Sequence, residues 1–195
     1  MNKKIGMYAS IITFLGALCF TIFILLDHNT FRIGNHLSCI LIALGFIGMI
    51  CAYVTFVKDE NKSISLISFA FSIIYAIIIL ILCFIWIIPY QYSNLSSEAD
   101  GILHSLEILG YTFMAISSFF IGIKLEANNK SELFLKILFC FQILFSVMWF
   151  VLLITVKNYI YLGKINSFVW ILMFEIWCVY IILICIFSYL YFKNK

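Results

Sequence analysis

In the stretch ILHSLEILGYTFM, residues 102–114, His104, Glu107 and Tyr111 follow one another at spacings of three and four, which stacks them on one face of a helix. An imidazole, a carboxyl group and a phenol within reach of one another can relay a proton or hold a cation. Met114 and Ser118 continue the same face. The surrounding run is apolar, and a charged side chain at the centre of a membrane helix costs about 2.5–3.5 kcal/mol on insertion scales, so an acid here invites a functional reading. Glu175 is the second such acid. Neither has a Lys or Arg at helical spacing on its own segment to neutralise it.

The segments that must position these groups follow from composition. Of 195 residues, 65% are hydrophobic and 11% charged, with a mean hydropathy of +1.15. An average soluble domain is about 45–50% apolar and about 25% charged. A chain this short lacks the interior to hide such an excess, whereas a bilayer solvates apolar helices on all sides. The expected fold is all-α: a polytopic membrane protein, a single domain with a bundle of six transmembrane helices and short loops. The charge-poor runs are approximately Ile5–Leu26, His36–Val57, Ile64–Tyr90, Gly101–Ile123, Leu133–Val156 and Ser167–Phe192, each near the 20 or so residues that span a bilayer.

Basic residues orient the bundle, because Lys and Arg near spans are retained in the cytoplasm. With the N-terminus inside, Lys3, Lys4, Lys58, Lys62, Lys124, Lys130, Lys136, Lys193 and Lys195 are cytoplasmic, against Arg32, Lys157 and Lys164 outside. Both termini are then cytoplasmic. Heavy use of Ile, Phe, Tyr, Asn and Lys, together with minimal loops, tilts the source towards a bacterium and its cytoplasmic membrane. Trp86, Tyr90, Tyr92, Tyr159, Tyr161, Tyr189 and Tyr191 gather at span ends, as interfacial anchors do. The start "MNKKIG" reads as a retained first span that also directs insertion.

The fourth span begins at a capping signal, Ser97 with Asp100 three residues on. At about 1.5 Å per residue, Glu107 lies roughly 9 Å below the outer surface, Tyr111 about 15 Å and Glu175 about 12 Å. Gln142 and Tyr75, on spans of opposite direction, fall near the middle of a membrane about 30 Å thick. The predicted site is therefore one polar layer in the outer half, formed by Glu107, Glu175, His104, Tyr111, Gln142 and Tyr75. The competing reading makes these residues interhelical glue, at about 0.6 kcal/mol per hydrogen bond.

Other chemistry finds little footing. No metal site is expected: His28, His36 and His104 share the outer side with Asp27, Glu98 and Asp100, but nothing makes them converge. All seven cysteines, Cys19, Cys39, Cys51, Cys83, Cys140, Cys178 and Cys185, lie in apolar runs without C-x-x-C spacing and read as small packing residues. Gly45, Gly48 and Ala52, and Ala115, Ser118 and Gly122, read as faces of close helix approach. Phosphate-cradling and hydrolase motifs are absent. The expectation is a non-enzymatic membrane protein without a cofactor, a regulatory, sensor or immunity-type partner subunit; small-solute or proton-coupled transport through the polar layer is the alternative. Its partners would be the lipid bilayer, a membrane protein or second copy, or a small solute, and no nucleic acid.

Overall fold

A computed structural model describes residues 2–26, 32–57, 62–87, 97–160 and 167–195, without the side chains of 32, 97–101, 104, 149–150, 152–160, 167–171 and 173. Among the described residues there are six helices and no strand: α1 (Asn2–Leu26), α2 (Arg32–Phe56), α3 (Lys62–Ile87), α4 (Ser97–Lys124), α5 (Lys130–Ile160) and α6 (Ser167–Asn194). All six are long and apolar enough to cross a membrane. Uninterrupted runs of Ile, Leu and Phe with no internal proline carry them, and a helix bonds its backbone N–H and C=O groups within itself, the condition a membrane span would have to meet. The last described residue of α3, Ile87, stands two before Pro89, which disfavours helix in the residue preceding it. The expected end of that span, 88–90, lies outside the described residues. The fifth helix is longer than the apolar run, starting at Lys130 and continuing to Ile160.

Consecutive helices run antiparallel and pack in a ring, α1 on α2, α2 on α3, α3 on α4, α4 on α5 and α5 on α6, closed where α6 meets α1. Gly6 of α1 lies against the ring of Phe192 of α6, so both chain ends are at the same end of the bundle. The interior is filled mainly from α2, whose Ile42, Phe46, Met49, Ile50 and Tyr53 are buried along one stripe. Tyr75, Met114, Phe139 and Ile181 reach in from the other helices. Leu44, Ile77, Phe84, Leu144 and Val179 face outward and are exposed.

Two devices bring the backbones close. A Cβ on Gly45 would come within 2.7 Å of the Thr13 amide nitrogen, so α1 and α2 approach at a distance that only glycine permits. Between α3 and α4, Ser68 Oγ donates to the Ser117 carbonyl at 2.6 Å while Ser117 Oγ donates to the Ser68 carbonyl at 2.8 Å, a reciprocal clamp. Gly122 meets Cys140 and Phe139 of α5. Gly45, Gly48 and Gly122 thus all stand at helix contacts.

At the end that carries the termini, α5 opens on a capping box. Asn129 Oδ1 accepts the Glu132 amide at 2.8 Å, and Glu132 Oε2 accepts the Asn128 amide at 2.8 Å. Lys195 Nζ then pairs with Glu132 Oε1 at 3.6 Å and sits 5.0 Å over the Tyr191 ring. The capping signal expected at Ser97 coincides with the start of α4, but its side chains are outside the described ones.

Candidate functional site

Glu107 lies in the third turn of α4, on the half of the bundle away from the termini, and is half-buried. Tyr111, one turn on, donates its hydroxyl to Glu107 Oε1 at 3.2 Å. The i, i+4 spacing alone accounts for this bond. The buried Tyr111 ring packs on Trp177 of α6, centroid to centroid 4.8 Å, and on Tyr75 of α3 at 6.3 Å. Tyr75 in turn stands edge-on to Phe46 of α2 at 5.7 Å. An acid on one helix is thereby tied through Tyr111 to two others and, through Tyr75, to a third.

Further groups join from α2 and α3. Cys83 Sγ donates to the His36 carbonyl oxygen at 3.3 Å. One turn along α2, Cys39 interacts electrostatically with the Cys83 thiol and the Tyr111 hydroxyl. The His36 ring stacks on Trp86, 6.0 Å apart and 5° from parallel. Glu107 is within electrostatic reach of both thiols and of Tyr75. His36, expected on the outer loop or at the mouth of the second span, is part of α2 and turned into the bundle.

The remaining predicted members stand elsewhere. Glu175 is two residues from Trp177 on α6, a spacing that places them on opposite faces, and it approaches Thr21 of α1 instead. The approach falls short of hydrogen-bond geometry: Thr21 Oγ1 and Glu175 Oε1 are both buried without a hydrogen-bond partner among the described residues. Gln142 is buried on α5, its Oε1 also without a partner among those residues. Because Gly122 sits opposite Cys140, the antiparallel register sets Gln142 level with Phe120, about two and a half turns nearer the termini than Tyr111. The backbone of His104 is helical, and its side chain lies outside the described ones.

The structure therefore joins Glu107, Tyr111 and Tyr75, and places Glu175 on the α1–α6 side and Gln142 at another depth. Of the interfacial anchors, Tyr191 is buried against Tyr53, at 5.2 Å, and Trp86 is half-buried on His36. Tyr90, Tyr92 and Tyr161 are outside the described residues. Among the described residues no three His, Cys, Asp or Glu side chains are grouped to share a metal ion.

Chemically, the Glu107 cluster has a carboxyl group, a phenol, two thiols and an imidazole in an aromatic setting. Such a set can take up or release a proton, or be oxidised at sulfur. No family model, curated protein or solved structure matches this chain.

Proposed function

We propose that this is a non-catalytic multi-pass membrane protein, inserted with both termini in the cytoplasm, that acts as a sensor or regulatory partner subunit of another membrane component. The nine-to-three distribution of Lys and Arg supports the orientation, and puts the Glu107 cluster in the outward half of the membrane. The observation that carries the sensing role is the position of Tyr111, which bonds an intramembrane acid and packs on α3 and α6 with the same ring. A change of charge at Glu107 would alter that hydrogen bond and so the packing of these helices. Two-state responses of this kind need a local charge change coupled to a packed element, not a substrate cavity.

The polar groups at the α1–α6 contact favour a second reading, transport or binding of a small solute or proton. Among the described residues the buried oxygens of Thr21 and Glu175 lack hydrogen bonds that a proton, a water or a small polar solute would supply.

Thermal unfolding in one detergent at about pH 5 and about pH 8, which bracket the histidine transition, tests the sensing role. Wild type is expected to show a pH-dependent midpoint, and Glu107→Gln a midpoint that no longer moves between the two. Equal pH dependence in both proteins would overturn the role of Glu107. A Glu107→Gln protein markedly less stable at both pH values would make the acid interhelical glue.

A further inference from the structure

Cys39 and Cys83 come from different helices, 44 positions apart in the chain, yet the Cys83 thiol donates to the backbone carbonyl of His36 at 3.3 Å, three residues before Cys39 on α2. The i, i+3 spacing of a helix sets Cys39 over the His36 carbonyl that Cys83 reaches, so one α2–α3 contact holds both cysteines. Both side chains are buried, at 7% and 2% exposure. The His36 imidazole lies beside Cys83, and its Nε2 is buried without a hydrogen-bond partner among the described residues. Two thiols, a basic nitrogen and an acid exceed what helix packing needs.

We infer that Cys39 and Cys83 are an oxidisable dithiol, closed by a small hydroperoxide into a disulfide that ties α2 to α3. Burial selects the oxidant. Thiol–disulfide exchange with a folded oxidoreductase requires that protein's sulfur to touch one of these, which buried thiols do not allow, whereas hydrogen peroxide is small and uncharged. In the first step the Cys83 thiol gives its proton to the His36 imidazole and its sulfur attacks one peroxide oxygen. The O–O bond breaks, Cys83 becomes a sulfenic acid, and the hydroxide released takes the proton back from His36 to leave as water. Cys39 sulfur then attacks Cys83 sulfur, the S–OH bond breaks, and hydroxide leaves with the Cys39 proton as a second water. Two thiols lose two electrons and one peroxide becomes two waters.

The new bond would lie beside the Tyr111 hydroxyl, so oxidation and a charge change at Glu107 would act on the same helix contacts. That use of the disulfide rests on the sensing role proposed above, whereas its formation does not.

The full chain in detergent micelles, treated with hydrogen peroxide, then denatured, alkylated with N-ethylmaleimide, digested and analysed by mass spectrometry, tests the inference. The expected result is a Cys39–Cys83 linked peptide lighter by two hydrogen atoms and lost on treatment with dithiothreitol. In Cys39→Ser, dimedone should trap Cys83 as its sulfenic acid. Recovery of both cysteines as alkylated thiols would overturn the inference, as would bridges to other cysteines or between chains. So would stoichiometric Cu(I) binding to wild type that each single serine variant loses and that protects both thiols from peroxide, which would make the pair a soft-metal site. If Cys39→Ser does not fold, the wild-type peptide map decides alone. A flat pH response of the wild type in the Glu107 experiment would sink the sensing role and leave a disulfide found here standing.

Discussion

The two ends of the bundle are built from different materials. At the end with the termini, Tyr53, Tyr191 and Phe192 pack as rings within 5.5 Å of one another, Phe139 joins at 5.3 Å, and the capping box and ion pair at Glu132 hold the start of α5 to the last residue. Buried polar atoms without hydrogen-bond partners there, the hydroxyls of Tyr53 and Ser188, are neutral. At the opposite end the Thr21 hydroxyl is joined among such atoms by Glu175 and His36, which are ionisable, and the acid Glu107 lies nearby. An unsatisfied hydroxyl costs a few kcal/mol at most, and a buried charge costs more. One end is organised for cohesion and the other keeps groups that cohesion alone would have replaced.

Paired substitutions test that contrast. Gly6 and Gly34 both face an aromatic ring, Phe192 and Phe23, with the nearest ring carbon 2.7 Å and 2.8 Å from an added Cβ. Phe192 is fully buried, whereas Phe23 is half-buried. Gly6→Val should therefore destabilise by about 3 kcal/mol, against about 1 kcal/mol for Gly34→Val, the range expected for overpacking. Equal losses in detergent unfolding would remove the difference in rigidity between the ends. Asn129→Ala, which deletes the cap of α5, should cost about 1 kcal/mol. The measurement is the unfolding midpoint of that variant beside wild type. Smallest is the serine clamp between α3 and α4: a double-mutant cycle over Ser68→Ala and Ser117→Ala should give about 0.6 kcal/mol of coupling. A coupling near zero would mean that the small volume of serine, rather than its hydroxyl, is what the contact uses.

Local features were legible in the sequence. Apolar length marks the six helices, and the helical repeat puts Tyr111 over Glu107, because both depend on neighbours in the chain. The Asn129–Glu132 cap went unread, although its signal, Asn followed three residues later by Glu before an apolar run, is equally local. Contacts across the bundle were not. Cys39, Cys83 and His36 come together only once the rotation of α2 against α3 is known, and apolar all-round helices carry little pattern to show which face turns inward. The single polar layer expected from depth counting met the same obstacle: helix ends set depth only to within a turn or so, and counting leaves the rotation of α6 open, which turns Glu175 towards α1.

The contact of Gly45 with Thr13 bears on how the protein is made. These two helices leave the ribosome before the other four, and chains tend to acquire structure from the N-terminus onward during synthesis. A backbone-to-backbone fit between α1 and α2 depends on no later segment. The hairpin can therefore assemble while α3 is still being synthesised, leaving the buried stripe of α2 as the template on which the other four helices dock.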